Sequence, residues 1–273
     1  MKGVGGLSRK LSAVLISTAM LVSGSFAQQV QNASTGPNSV YIEQIGSTNT
    51  ITIEQVGGTN RVGGVTNTVA TAVDNTGVTT LAPAAPSASN YGRLVGSNNS
   101  IGIQQRGNSN SAQYNIQGNY NAYSSTVAGN GNQTSLTIGD ANNAANNNNT
   151  VTETISGNTN TLITNLVGSH ITSTTAITGN SNQVTSNLLS TNGTVTNTIT
   201  GDSNVFNIQQ TDSAGANGHQ LVMTTTGSYN SVTTQQQGNN DTTLNINTQG
   251  SNNTITLRSS GATIVNPVSA IAR

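Results

Sequence analysis

The chain has 273 residues, enough for one or two ordinary domains, yet only 6% of them are Asp, Glu, Lys or Arg, where about a quarter is usual. Cys is absent, which removes disulfide scaffolds, thiolate metal sites and thiol nucleophiles together, and eight acids against eight bases leave no basic excess, so no nucleic-acid binding is expected. With 41 Asn, 43 Thr, 30 Gly, only four Pro and 32% hydrophobic residues, the composition argues for stacked strands over a disordered polar tract or a thick apolar core.

Residues 1–27 read as a secretory signal peptide. Lys2, Arg9 and Lys10 precede an apolar run from Leu11 to Val22, and Ser25-Phe26-Ala27 is a small-x-small exit. The run is too short for a membrane span, which needs about 20 apolar residues. Cleavage after Ala27 leaves an exported segment, 28–37, and a chain whose five arginines face eight acids.

From Asn38 a period of eleven organises everything else. Gly-x-x-Asn recurs at Gly46/Asn49, Gly57/Asn60, Gly96/Asn99, Gly107/Asn110, Gly118/Asn121 and Gly129/Asn132, and again at Gly157/Asn160, Gly179/Asn182, Gly201/Asn204, Gly227/Asn230 and Gly250/Asn253. Between each Asn and the next Gly the apolar residues alternate with polar ones, as in Ile51 and Ile53, Ile101 and Ile103, or Phe206 and Ile208. Period two is the strand signal, and Gly with Asn supplies the turn. An 11-residue period also suits a right-handed helical supercoil, but Gly, Asn, Thr and Val are poor helix formers and the apolar spacing is wrong for one.

Each unit is therefore one strand and one tight arc, with a single apolar face that it cannot bury alone. The expected fold is all-β: a β-solenoid of two-strand coils, about 22 residues each, whose two parallel sheets face each other across a thin core. Coils should rise by about 4.8 Å. The blocks in chain order are a first repeat block at 38–60, a Pro/Ala-containing insertion or hinge at 61–95, the main solenoid at 96–261 and a tail at 262–273. Smaller insertions at Asp140–Asn148 and Ser213–Gly218 fall at arcs.

Stacking brings like residues together, so an inward Asn can donate to and accept from the Asn above and below it. The ladder residues expected are Asn38, Asn49, Asn60, Asn99, Asn110, Asn121, Asn132, Asn149, Asn160, Asn182, Asn204, Asn230 and Asn253. Gly46, Gly57 and Gly107 hold the arcs. A second ladder position lies six residues after the Asn, at Gln44, Gln55, Gln105, Gln210 and Gln236, in phase with the buried Ile and Val.

NSVYIEQIGSTNTITIEQVGGTN at 38–60 resembles a curlin repeat, and SIGIQQRGNSN from Ser100 and NVFNIQQTD from Asn204 repeat its halves. The resemblance runs in degenerate form over the chain from Asn38, with the full Gln-x-Gly-x-x-Asn pattern at Gln44, Gln55 and Gln105. It implies a secreted subunit that polymerises with itself into amyloid fibres of the extracellular biofilm matrix at the cell surface. The partners it implies are a minor curlin-like nucleator and an outer-membrane secretion channel. Two departures stand out: the Gln position becomes Ile155, Leu166, Ile177, Leu188 and Ile199 in the middle of the chain, and the units are more numerous than is typical of the family.

Other functional classes compete. Alternate units place Thr150, Thr152, Thr172, Thr174, Thr194 and Thr196 on the outer face of one sheet, a flat Thr-x-Thr array of the kind that solenoid ice-binding proteins present to ice; a minor surface adhesin is a further alternative. An enzyme is not expected, because catalysis on a solenoid needs clustered acids or bases and the acids here are scattered. Glu153 alone falls at an inward offset, and His170 and His219 are single. No cofactor or metal site is expected.

Overall fold

A seven-residue strand with apolar side chains at every second position leaves one face to be covered, and a second such strand folded back by a four-residue arc covers it. In the computed structural model, which describes residues 27–31, 38–63, 69–73, 79–83, 92–139, 146–211, 218–238, 241–260 and 267–271, this is how the chain builds its coils. The strands in chain order are β1 (Ala27–Gln31), β2 (Ser39–Ile45), β3 (Thr50–Val56), β4 (Arg61–Val62), β5 (Val69–Val73), β6 (Thr79–Pro83), β7 (Gly92–Val95), β8 (Ser100–Arg106), β9 (Ser111–Gln117), β10 (Ala122–Ala128) and β11 (Gln133–Ile138). They continue as β12 (Thr150–Ser156), β13 (Thr161–Val167), β14 (Thr172–Thr178), β15 (Gln183–Leu189), β16 (Thr194–Thr200), β17 (Val205–Thr211), β18 (Gln220–Thr226), β19 (Ser231–Gln237), β20 (Thr243–Gln249), β21 (Thr254–Ser260) and β22 (Pro267–Ile271).

Successive strands alternate between two sheets. The first, sheet A, runs β1-β2-β4-β9-β11-β13-β15-β17-β19-β21; the second, sheet B, runs β22-β20-β18-β16-β14-β12-β10-β8-β3. Every pairing in the two sheets is parallel except that of β1 with β2. The described residues contain no helix, and the chain winds a β-solenoid of about eight turns, as its period implies. At the strand spacing of a sheet this is a rod about 40 Å long.

Two fragments that sequence assigned to the insertion belong to the ladder. β4 pairs with the first residues of β2 and β9, and β7 with the last ones, so the two short strands together occupy a single rung of sheet A. The block at 38–60 is therefore not hinged to the main rod, because β2 and β3 stack directly on the coils beyond the insertion. The insertion leaves from the middle of a rung, and its β5 and β6 form a separate antiparallel pair. At the other end β22, in the expected tail, continues sheet B on β20. Residues 1–26 of the expected signal peptide, 32–37 of the exported segment, 64–68, 74–78 and 84–91 of the expected insertion, 140–145 and 212–217 at the smaller insertions, 239–240 and 261 of the main solenoid, and 262–266 and 272–273 of the tail lie outside the described residues.

The core is a narrow file of side chains from both sheets. Its largest members, Tyr114 and Tyr123, lie with ring centroids 6.5 Å apart. Gly92 makes room for the first, since a Cβ there would come within 2.6 Å of the Tyr114 ring. Aliphatic residues fill most other positions, including Ile155, Leu166, Ile177, Leu188 and Ile199 at the expected Gln sites.

Candidate functional site

The repeating feature of this rod is its arc. In Gly-x-x-Asn the glycine takes φ between 96° and 137° and the residue before the Asn takes φ near 58°, as at Thr59, Ser109, Thr159 and Ser203. The glycine is demanded twice over. A Cβ on Gly129 would lie 1.8 Å from the carbonyl oxygen of Gly157 in the next coil, so an arc residue that faces the carbonyl of the next coil at strand spacing must be glycine, while the residue supplying that carbonyl need not be, as at Asn146 over Gly118 and Ser190 over Gly168. The left-handed residue turns the backbone so that the following Asn points inward.

On the edge where the chain passes from sheet B to sheet A, the Asn ladder is unbroken through Asn38, Asn60, Asn110, Asn132, Asn160, Asn182, Asn204, Asn230 and Asn253. Asn110 shows the pattern. Its backbone N–H and Nδ2 donate to Asn60 Oδ1 at 3.0 and 3.1 Å, and Nδ2 also donates to Gly129 O at 2.7 Å. Asn110 Oδ1 accepts the same two bonds from Asn132. On the opposite edge the ladder covers only Asn49, Asn99, Asn121 and Asn149. It ends where Asn149 Oδ1 accepts the backbone N–H of Ile171 at 2.9 Å.

The glutamines do not form one continuous ladder. Gln55 donates to Gln105 at 2.8 Å in sheet B, and Gln210 to Gln236 at 2.8 Å in sheet A, while Gln44 aligns with Leu94. Parity explains the gaps: an amide finds its partner only in the next rung of its own sheet, 50 residues on for Gln55 and 26 for Gln210, and between the two pairs that position is aliphatic. Gln236 also donates to Thr242, which meets His219 Nδ1 at 2.8 Å, so His219 takes the place of a ladder Asn.

A second ladder escaped the sequence reading. The residue after each arc glycine accepts the N–H of its counterpart one coil earlier: Asn108 N–H donates to Asn130 Oδ1, Asn130 to Asn158, Asn158 to Asn180 and Asn180 to Asp202, at 2.6 to 2.9 Å. The recurring Gly-Asn dipeptide was its signal.

In mid-rod, Glu153 is fully buried, accepting from Tyr123 Oη at 2.8 Å and from Thr164 Oγ1 at 3.2 Å. Burial raises its pKa from 4.5 to about 7, although these bonds favour the carboxylate. The same burial, reinforced by Glu153, pushes the Tyr123 phenol up. One acid among hydroxyls has neither a basic partner nor an opening to a substrate, and among the described residues no group of three or more His, Cys, Asp or Glu could hold a metal.

The outer faces differ. On sheet B the register stacks Thr150, Thr172 and Thr194 in one column and Thr152, Thr174 and Thr196 in the next. Ser156, Thr178 and Thr200 form another, and no outward position from β10 to β20 is charged.

The coil ends complete the geometry. Among the described residues, β21 and β22 end their sheets on one side, and β1 and β3 on the other. Ser231 N–H donates forward to Asn253 O at 2.8 Å, so the first, third, fifth and seventh residues of each seven-residue strand of sheet A direct N–H and C=O toward the following coil. In β21 these are Thr254, Thr256, Arg258 and Ser260, and they face the open end. Comparisons with protein families, curated proteins and solved structures found no match for this chain.

Proposed function

We propose that this chain is a secreted structural subunit that joins end to end with its own copies into curli-like amyloid fibres of the extracellular matrix, where the fibres mediate adhesion and aggregation. The observation that carries this reading is the unbroken parallel register of both sheets and of one Asn ladder up to the last coil. A second copy placed on β21 and β22 with the same register continues both sheets and adds one more Asn to the ladder. The curlin-like repeats at 38–60 supply the biological setting, including a nucleator and a secretion channel as partners.

The test is growth of the chain from Gln28 as a purified protein. It should form unbranched, thioflavin-positive fibres with a cross-β reflection near 4.7 Å. A chain that stays monomeric at high concentration would sink the reading. One observation favours a second function, ice binding: the uncharged, in-register Thr columns of sheet B. That activity needs a monomer and its flat face, so Thr152→Lys, Thr174→Lys and Thr196→Lys together should abolish ice shaping while leaving fibre growth intact. Thermal hysteresis from a soluble monomer that forms no fibres would place ice binding first.

A further inference from the structure

Among the described residues, the charges on outward strand positions sit toward the two ends of the rod. Glu43, Glu54, Arg61, Arg93 and Arg106 belong to the first coils and Arg258 to the last strand of sheet A, whereas the outward strand positions between carry amides, hydroxyls and apolar residues. One outward column of sheet A makes the arrangement explicit. It opens with Glu43 beside Arg93, passes through neutral residues only, and closes with Arg258 beside Gln235. Glu43 and Arg93 form an ion pair at 3.3 Å, and their side chains are 26% and 33% exposed. Arg258 is exposed.

A second copy that keeps the ladder phase brings these residues together. Asn230 Oδ1 accepts the N–H and Nδ2 of Asn253 at 3.0 Å, and Asn253 Oδ1 stands one rung further, in position to accept the same two donors from Asn38 of an incoming chain. Counting along the strands from that contact sets Ile255 over Val40, Leu257 over Ile42 and Arg258 over Glu43. Val40 and Leu257 are only partly buried where the rod ends, which is what an unfinished core looks like. We propose that Arg258 of one copy pairs with Glu43 of the next, and that this charge match sets both the polarity and the register of the joint. The proposal rests on the assembly reading and extends it.

Polarity follows from the alternatives. Two rods meeting by their C-terminal ends would oppose Arg258 to Arg258, and two meeting by their N-terminal ends would oppose Glu43 to Glu43. Only the heterologous joint is attractive, and a heterologous joint that does not close on itself propagates as a filament. The register follows because a shift of one residue would set the inward Ile255 and Leu257 opposite outward positions of the incoming β2 as well as separating the charges. In the free chain the outer edge of β2 holds β1, which pairs antiparallel with Tyr41–Ile45. The incoming β21 competes for the same edge, so β1 leaves as the joint forms.

Self-seeded elongation of three proteins tests the joint: the chain from Gln28, its Arg258→Glu variant, and a swapped variant with Glu43→Arg, Arg93→Glu and Arg258→Glu, which preserves the pairing within the chain. Arg258→Glu should slow elongation roughly tenfold at low salt, and the difference should fade near 1 M NaCl, where charges are screened within about 3 Å. The swapped variant should recover most of the rate. Gln209→Glu, exposed at mid-rod in the same outward column, should change little. If Arg258→Glu fails to fold, seeds of Glu43→Arg with Arg93→Glu, slow with themselves but fast with the swapped chain's C-terminal end, read the same contact. Fibres that grow equally fast from Arg258→Glu, or a swapped variant that stays slow, overturn the joint while leaving assembly standing. Failure of the unaltered chain to form any fibre removes the assembly reading and the joint with it.

Discussion

Asparagine carries the arc because it is short enough to stay inside a four-residue turn and has both a donor and an acceptor to spend on its neighbours. In Asn110 all of that capacity is used on the coils before and after it, with no water available as a substitute. Asn110→Ala leaves Asn132 and Gly129 without their partners and should cost about 1 to 3 kcal/mol in thermal or denaturant unfolding. Gln104, whose Nε2 reaches Glu54 on the outer face, is only half-buried on the same rod, and Gln104→Ala should stay within about 0.5 kcal/mol. Equal losses from the two would mean that inward and outward positions are assigned wrongly. Glu153 supplies a pH dependence. Its raised pKa means that the folded chain holds a proton which the unfolded chain releases between pH 4.5 and about 7. The contribution of Glu153 to stability is therefore fully present below about pH 4.5 and is lost as the pH rises to about 7, on the order of 3 kcal/mol in all. Glu153→Gln keeps an acceptor for Tyr123 and should flatten the unfolding profile over that window. A profile that keeps its slope would place the titrating group elsewhere.

At the level of strands, period two within period eleven was enough to read the sheets and the inward faces, because each complete unit repeats the same side-chain parity. Fragments defeated the reading. β4 and β7 are two and four residues long, too short to show any period, and their union in one rung is visible only when β2 and β9 lie on either side. β22 begins with Pro267, a residue that argues against a strand unless it stands at an edge, which is where this strand lies. The left-handed residue of each arc was equally hidden, since Thr59 and Thr159 give no local hint of φ near +58°. Knowledge of which way each amide points allows a finer proline test than strand propensity alone. Ile255 directs its N–H back into the rod, so Ile255→Pro breaks an internal bond and loosens β21. Thr256 directs its N–H outward, and Thr256→Pro leaves the subunit as stable as before while removing one donor from the growing end. Elongation of Thr256→Pro fibres should fall severalfold with an unchanged melting temperature. A melting temperature that drops as far as that of Ile255→Pro would contradict the assigned directions of the amides.

The whole molecule behaves as a stack in which each coil touches only its neighbours, so its stability should be close to a sum over coils and interfaces. Its two edges are nonetheless unlike. The sheet B to sheet A edge keeps Gly-x-x-Asn and its ladder from Asn60 onward, while the longer connections from β11 to β12 and from β17 to β18 and the substitutes Ile171 and His219 all belong to the other. This asymmetry makes the coil of 22 residues the unit of the rod and not the sequence repeat of eleven. Deleting 183–204 removes β15, β16 and their two arcs, and sets β17 on β13 and β18 on β14 with Asn182 followed by Asn230 in the ladder. The shortened chain should fold cooperatively, with a circular dichroism spectrum of the same shape and a modestly lower melting temperature. Deleting only 183–193 sends every later strand to the opposite sheet. Asn204 then stacks over Ile171, His219 is brought onto the ladder edge above Asn182, and the 212–217 insertion moves to the edge that has none. That chain should lose its cooperative transition or aggregate, although it has removed half as many residues. Equal tolerance of the two deletions would show that the two edges are interchangeable and that the ladder does not direct the winding of the rod.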